Sequence, residues 1–321
     1  MSRRTRFFLT GLLAAGAIAG AESFPVDLRP EGMRGMRVGS IEILDQRELV
    51  YPEIDGQHFS EISDLAYREG SGDLFMVSDE GKLFRFRARF GEKIRELKPR
   101  EGSSLRDKKG KKLSKKSRDV EGMALGPKGR LHLSFEGKPR VVRVSDDGRI
   151  RKKLSLPEAL ARRKNYLRPN KGLEALIHHP RYGWVTAPER PLKKAPRVYH
   201  TLYTLSGTEW RYRRGKDLHS CITALEVLEN GNFLVLERSF VSVLDPFVVT
   251  LKEVQIDRCT PTGLCPARIL ARLDTSRGWR VENFEGLTRV GPDRFVMISD
   301  DGDKLYARTV MLYFRVLSSS R

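Results

Sequence analysis

The feature that most constrains this chain is a motif that returns five times along its 321 residues. Each copy has a short apolar run, a polar turn rich in Gly, Pro, Asp or Asn, and a second apolar run that ends in an acid, which is the pattern of a β-hairpin. The copies read ISDLAYREGSGDLFMVSDEG, VEGMALGPKGRLHLSFEG, LEALIHHPRYGWVTAPER, ITALEVLENGNFLVLER and FEGLTRVGPDRFVMISDDG. Self-similarity of this kind indicates one structural unit that is built repeatedly.

Nearly fixed spacings define the repeat. The residues that open the copies are 58, 53, 49 and 62 positions apart, and they are Ser63, Glu121, Glu174, Thr223 and Glu285. An acid closes the second run 14 to 16 residues later, at Asp79, Glu136, Glu189, Glu237 and Asp300. Acids at an almost constant offset from a turn indicate a repeated structural role.

Further strand-like segments follow each hairpin, such as RVVRVS after Glu136 and VYHTLYTLS after Glu189. Units of about four strands at this period predict an all-β fold, a β-propeller of about five blades, or six if one blade lacks the motif. A solenoid is the alternative, although its repeats are usually shorter. The last repeat supplies only three strands, so the unpaired strand from Val38 is predicted to complete it and close the ring. We place the propeller domain at residues 38–318.

The opening residues are predicted to surround one mouth of the central channel, because the first strand of a blade lies nearest the axis. Carboxylates that converge there raise one another's pKa unless a cation neutralises them, and oxygen-only ligands suit Ca²⁺ before Mg²⁺. We predict a calcium site with ligands from the opening residues, the residues two places earlier and the closing acids: Glu121, Glu174, Glu285, Asp119, Asn283, Asp79 and Asp300. The alternative is that these side chains only cap backbone groups of a neighbouring blade.

Positive residues lie close to these acids. Arg190 and Arg238 each follow a closing acid, and they either pair with a neighbouring acid or bind an anionic substrate. The run RDKKGKKLSKKSRD, with six lysines and two arginines, leads directly into Asp119. We predict Lys112 and Lys115 in this run as binding residues for a phosphorylated substrate. A mobile, solvated loop is the alternative for the run.

The first residues predict export. Arginines among the first six residues precede an apolar stretch of 14 residues, Phe7 to Gly20, which is too short to span a bilayer. Ala19-Gly20-Ala21 fits a cleavage site, so residues 1–21 are predicted to be a signal peptide for the periplasm or for secretion. The pair Arg3-Arg4 hints at twin-arginine export. No later segment is long and apolar enough to cross a membrane.

Composition limits the partners. The net charge is +19, but no nucleic-acid-binding motif is present and only 8% of residues are aromatic, so nucleic acid is not favoured. We expect a monomer that binds a small anionic or phosphorylated substrate. Of three cysteines, Cys259 and Cys265 bracket a turn and are placed to form a disulfide in an oxidising compartment. Cys221 is left over and is expected to be a buried apolar residue.

The phrases ISDLAY, DVEGMAL, NKGLEAL, ITALEVLENGNFLVLER and NFEGLTRV, in this order, resemble the family called esterase-like activity of phytase, the phytase-like domain. The resemblance extends from about Tyr51 to Asp303. It implies an exported β-propeller that hydrolyses ester or phosphoester bonds.

The residues by themselves contain no GxSxG nucleophile motif, and the six histidines are scattered. The consistent mechanism is metal-assisted hydrolysis, with Glu121, Glu174 and Glu285 as the predicted catalytic residues and Glu121 as a candidate base. Two other functions stay open. One is a non-catalytic envelope propeller that binds a polyanion or a protein, and the other is a calcium-dependent lactonase.

Overall fold

The computed structural model describes residues 22–168, 172–215, 219–240, 245–304 and 306–317. The predicted signal peptide, residues 1–21, lies outside the described residues. The described chain forms five four-stranded antiparallel blades arranged as a β-propeller. The prediction of an all-β propeller is confirmed, and of the two blade counts that the sequence allows, five is the one observed.

Each of the first four blades is a hairpin followed by two more strands. Blade 1 contains Ile62–Arg68, Asp73–Ser78, Lys82–Phe90 and Ile94–Ser104. Blade 2 contains Val120–Gly126, Arg130–Phe135, Arg140–Val144 and Ile150–Leu154. Blade 3 contains Leu173–His179, Gly183–Pro188, Tyr199–Thr204 and Glu209–Arg213. Blade 4 contains Cys221–Val227, Phe233–Ser239, Val248–Val254 and Ala267–Asp274.

Blade 5 is completed by the N-terminal part of the chain, as the sequence predicts. Its first three strands are Asn283–Arg289, Arg294–Asp300 and Val310–Val316. The fourth strand, Ile41–Val50, pairs antiparallel with Val310–Val316. This pairing joins the two ends of the ring and removes free sheet edges that would otherwise be open to aggregation.

Short elements occupy the edges and connections. Glu22–Pro25 and Arg37–Val38 pair with the closing strand, and Glu53–Ile54 pairs with Gln57–His58. One α-helical turn covers Glu158–Ala161, and 3-10 turns occur at Lys115–Ser117, Pro127–Gly129, Arg163–Asn165, Ile256–Arg258 and Thr275–Arg277. None of the described helices has the length and apolar surface needed to cross a membrane.

The cysteines behave as the sequence indicates. Cys259 and Cys265 form a disulfide in the connection before the last strand of blade 4, and their Cα atoms are 4.0 Å apart. Cys221 is a buried free thiol, and burial raises its pKa to about 12. A thiol that stays protonated in this way is unreactive, so Cys221 serves as a small core residue.

The core lies between the blades. Because neighbouring blades cover both faces of a sheet, the strands carry continuous apolar runs such as Leu74–Val77, in which every residue is 0% exposed. At the junction of blades 5 and 1, four aromatic rings pack edge to face with centroids 5.0 to 5.7 Å apart, and they belong to Tyr51, Phe59, Phe84 and Phe86. This burial of apolar surface is the main force that holds the blades together.

The five inner strands pack tightly around the axis, and each contacts the inner strands of both neighbouring blades. Two glycines permit this approach. A Cβ atom at Gly122 would lie 2.7 Å from the carbonyl oxygen of Glu174, and one at Gly286 would lie 2.8 Å from the Cα atom of Asp64. Both distances are shorter than a real Cβ contact, so the glycines of the phrases VEGM and FEGL permit the inner strands to approach this closely.

We predict that Gly286→Ala lowers the free energy of unfolding by about 2 kcal/mol, the usual cost of overpacking, because the obstructing atom belongs to the backbone. The matched control is Gly70→Ala, where an added Cβ meets nothing within 4 Å. The control should stay within about 0.5 kcal/mol of the wild type. Urea denaturation measures both values, and equal stabilities of the two variants would contradict the tight ring.

Candidate active site

Every inner strand carries a β-bulge at its opening residue. In all five blades the pairing between the inner strand and the second strand skips one residue, and the skipped residues are Ser63, Glu121, Glu174, Thr223 and Glu285. A bulge sets two residues of one strand against one residue of its partner and re-aims the extra side chain. The constant spacing in the sequence therefore reflects a bulge that is repeated in each blade.

A second level of the mouth surrounds the bulges. In each blade, the residue two places before the bulge pairs with the residue that closes the second strand. The pairs are Glu61 with Asp79, Asp119 with Glu136, Gly172 with Glu189, Cys221 with Arg238, and Asn283 with Asp300. Acids thus close blades 1, 2, 3 and 5, and Arg238 closes blade 4.

Blade 4 corrects the sequence alignment. Its closing residue is Arg238, which pairs with Cys221, and the prediction that Glu237 closes this blade is wrong by one position. Because side chains alternate along a strand, a shift of one residue moves a side chain to the opposite face. Glu237 is accordingly turned away from the mouth, where it accepts hydrogen bonds from Lys252 Nζ at 2.7 Å and Tyr212 Oη at 2.8 Å.

The acids of blades 2 and 3 form two overlapping groups. Carboxylate oxygens of Asp119, Glu121 and Glu136 lie within 4.8 Å of one another, and so do those of Glu136, Glu174 and Glu189. Burial, and after it the neighbouring carboxylates, raise the pKa values of Glu121 and Glu174 well above the usual range. We call these two groups the acid trios, and Glu136 belongs to both.

Glu285 has different surroundings from the other two glutamates. Its Oε1 lies 2.5 Å from Nη1 of Arg238 and accepts a hydrogen bond from Asn283 Nδ2 at 3.0 Å. Arg238 also donates to Oδ1 of Asn283 and lies 3.7 Å from Glu189. Burial lowers the pKa of Arg238, but Glu285 and Glu189 outweigh this effect and raise it. One guanidinium group is therefore shared between acids of blades 3 and 5 and offsets part of their negative charge.

Two acids on the side of blades 1 and 5 retain their protons up to neutral pH. Burial, and then the carboxylates of Glu61 and Asp119, raise the pKa of Asp79 to about 7. Burial, and then Glu285, raise the pKa of Asp300 to about 7. Both groups thus change protonation state in the range where hydrolytic enzymes commonly work.

Three of the predicted cationic residues lie around the acids rather than among them. Arg190 is half-buried and lines a groove beside the mouth. Lys112 and Lys115 are exposed on the connection between blades 1 and 2. The residue of this connection that reaches an acid is Arg118, which forms an ion pair with Glu80.

Sequence reasoning missed Asp64, which ties three inner strands together. Its buried carboxylate accepts backbone N–H bonds from Met123 of blade 2 at 2.7 Å and from Leu287 of blade 5 at 3.1 Å. Burial raises its pKa well above the usual range, although these bonds oppose the shift. The repeat contained a signal for it, because Asp64 is the one large, charged residue at a position that is Gly or Ala in the other four copies. Those residues are Gly122, Ala175, Ala224 and Gly286.

We predict that the protein without bound cations loses stability as the pH rises from about 4 to 7. Unfolding lowers the pKa values of Asp79 and Asp300 from about 7 to near 3.8, so the folded state binds more protons in this window. Thermal unfolding with a chelator at several pH values measures the slope. The double variant Asp79→Asn with Asp300→Asn should show a flatter slope, and an unchanged slope would contradict the assignment.

Solved structures with a similar architecture are distant in sequence. A protein of unknown function from Bacteroides thetaiotaomicron shares 12% identity at a TM-score of 0.48, covering 92% of this chain and 73% of its own. The PQQ-bound aldose sugar dehydrogenase from Streptomyces coelicolor shares 12% identity at a TM-score of 0.42, and the match covers 89% of this chain and 99% of the dehydrogenase. Virginiamycin B lyase from Staphylococcus aureus shares 9% identity at a TM-score of 0.41, and the match covers 92% of this chain and 100% of the lyase. These likenesses carry no argument about function.

Comparison of the sequence itself is more specific. No curated protein gives a significant match. The family model Phytase-like, described as esterase-like activity of phytase, matches residues 57–303 and thus the five hairpins that carry the bulges. The chain therefore belongs to the phytase-like family, the family described by an esterase-like activity of phytase.

Proposed function

We propose that this protein is a cation-dependent hydrolase of phosphoester or carboxylester bonds and that the acidic mouth of the propeller is its active site. The main support is the pair of acid trios that share Glu136 at the end of the channel. Membership of a family described by an esterase-like activity supports the reaction class. Arg238, in the same mouth, supplies a guanidinium group that suits an anionic substrate.

The acids fit a hard divalent cation, for which we propose Ca²⁺. All of the donors are oxygen atoms, the ligand type that calcium prefers. Burial, and after it repulsion between neighbouring carboxylates, raises the pKa values of Glu121 and Glu174, and a bound cation would relieve that repulsion. At the same mouth, Oδ1 of Asp79 is buried without a hydrogen-bond partner among the described residues. The residues that would hold the cation are those of the two acid trios. When bound, it would supply positive charge to the ester oxygens and acidify water.

Glu121 is the proposed general base. It lies at a bulge and is more exposed than Glu174, which is 6% exposed, so water reaches it more easily. Burial and the adjacent carboxylates raise its pKa, which makes its carboxylate a stronger base. Glu121 takes a proton from the attacking water as the oxygen of that water bonds to phosphorus or to the acyl carbon.

Asp300 is the proposed general acid. Its pKa of about 7 leaves it partly protonated at neutral pH, and Asn283 Nδ2 orients the carboxyl group through a hydrogen bond of 3.1 Å. Asp300 gives its proton to the alcohol oxygen as the ester bond breaks, so one water is consumed and an alcohol and an acid are released. Arg238 orients the anionic group of the substrate during this step.

Binding of a polyanion without catalysis is a second candidate, because one side of the same face is strongly basic. The connections 106–118, 162–168 and 190–197 all join strand ends at the mouth. Together they contain 16 lysines and arginines and one acid. This basic arc would attract an anionic substrate, and it would equally retain a polyanion that is not hydrolysed.

We also propose that the protein acts outside the cytoplasm. The disulfide between Cys259 and Cys265 suits an oxidising compartment. We predict that the protein isolated from the periplasm or the medium begins at Glu22, as measured by intact mass. Retention of residues 1–21 on the exported protein would contradict cleavage.

We predict that Glu136→Gln weakens calcium binding by about tenfold or more and lowers hydrolysis in parallel, because it removes a charged ligand from both acid trios. The matched control is Glu229→Gln, an exposed acid in the hairpin turn at the opposite end of blade 4. The control should bind calcium as the wild type does. Calorimetry measures the affinity, and a panel of phosphomonoester, carboxylester and lactone substrates, each with calcium and with chelator, measures the reaction.

The panel separates the candidate functions. Unchanged calcium affinity in Glu136→Gln would contradict the proposed cation site. Hydrolysis of the lactone alone would replace the ester hydrolase with a lactonase. Binding of an inorganic polyphosphate without hydrolysis of any substrate would favour the binding propeller.

A further inference from the structure

A groove of about 680 Å³ leads from the acidic mouth across blades 4 and 5. Its inner end is lined by residues of the mouth, which are Glu189, Arg238, Asn283 and Asp300. Its outer part carries three aromatic side chains, which are Phe240, Phe247 and Tyr306. The groove is therefore continuous with the proposed active site but differs from it in chemistry.

Two of the three aromatic side chains of the groove are unusually exposed. Among the described residues, three aromatic side chains are exposed, and they are Phe24, Phe240 and Tyr306. Two of the three line this one groove, with exposures of 45% for Phe240 and 83% for Tyr306. The ring of Phe247 lies 5.6 Å from that of Phe240. Aromatic surface gathered beside a catalytic cleft, instead of scattered over the protein, is typical of a ligand site.

The floor of the groove is fixed by the fold. The backbone N–H of Phe247 donates to Oγ1 of Thr275 at 3.0 Å, and the N–H of Thr275 donates back to the carbonyl oxygen of Phe247 at 3.1 Å. The side chains of Phe247 and Val281 pack against the core between blades 4 and 5. The groove is thus formed before a ligand arrives, which reduces the entropic cost of binding.

Two acids of the groove, Glu282 and Asp301, already have partners within the protein. Glu282 forms an ion pair with Arg308 at 2.6 Å. Asp301 accepts hydrogen bonds from Ser60 at 2.7 Å and Thr309 at 2.8 Å.

The basic arc lies over blades 1 to 3 and meets the groove at Arg190, so most of the cationic side chains of the arc lie apart from the aromatic side chains. Two cationic side chains besides Arg238 line the groove: Arg190, next to Glu189, and Lys304, whose Nζ lies 5.9 Å from the ring centroid of Tyr306.

We infer that the groove binds an aryl or alkyl group and that the substrate is an anionic monoester with an apolar alcohol part. The inference rests on the proposed function for the position of the ester group, which lies at the inner end of the groove near Arg238 and Asp300. Hydrolysis there adds one water, breaks the ester bond, and releases the apolar alcohol along the groove and the acid at the mouth. A polyphosphorylated polyol would leave the aromatic surface uncovered.

The test compares 1-naphthyl phosphate with glycerol 2-phosphate. Phe240→Ser should lower kcat/KM for naphthyl phosphate by about tenfold, the effect expected for one lost aromatic contact, and leave glycerol phosphate unchanged. Tyr306→Ser should act in the same direction. The matched control is Phe24→Ser, which alters the third exposed aromatic side chain on the edge strand Glu22–Pro25 and should change neither value. Thermal unfolding confirms that each variant is folded.

Equilibrium binding of naphthylmethylphosphonate, which cannot be hydrolysed at its P–C bond, separates this inference from the proposed function. If no ester is hydrolysed but the phosphonate binds the wild type about tenfold more tightly than Phe240→Ser, the proposed function fails together with the assignment of a substrate, and the inference that the groove binds an aryl group holds. If naphthyl phosphate is hydrolysed but both groove variants match the wild type in kcat/KM and in phosphonate affinity, the inference is overturned and the proposed function holds. Absence of phosphonate binding by the wild type also overturns the inference.

Discussion

The close approach of the five inner strands around the axis is the constraint on which the other features depend. Gly122 and Gly286 permit it, because a Cβ atom at either position would collide with a neighbouring backbone. Asp64 occupies the equivalent position in blade 1 and accepts N–H bonds from blades 2 and 5. The strands are thus held by both packing and directed hydrogen bonds, and the bulge one residue earlier brings carboxylates of different blades to a common mouth.

That convergence has an energetic cost. Burial and mutual repulsion raise the pKa values of Glu121 and Glu174, and one arginine, Arg238, cannot neutralise every acid of the mouth. The apolar core between the blades stabilises the ring against this repulsion, and a bound cation would relieve it. Sites that are unfavourable for folding but suited to a charged ligand are common in enzymes.

The connections give the symmetric scaffold two different sides. Basic connections surround the mouth over blades 1 to 3, whereas the groove over blades 4 and 5 contains Phe240, Phe247 and Tyr306. The five hairpins are too similar to create this difference, because their strands are constrained by packing in the core, whereas the connections are free to vary in sequence. In the proposed hydrolase, the connections would select the substrate, and the bulges that the strands hold in place would position the acids.

The sequence by itself determined the class of fold, the five repeats, the closing strand from Val38 and the positions of the five opening residues, while it left open whether the propeller has five blades or six. Those features follow from local periodicity and from spacings along the chain, which can be read without knowing any distant contact. The opening residues proved to be bulges, so a pattern found as spacing corresponds to one repeated backbone geometry.

Only the tertiary structure decided which charges meet. It placed Arg238 instead of Glu237 at the mouth, grouped Glu136 with acids of two blades, and paired Glu285 with Arg238. A difference of one residue in register reverses the face of a strand, and a spacing measured along a hairpin of variable turn length cannot resolve it. The partners of these side chains lie in other blades, dozens of residues away, and only closure of the ring brings them together.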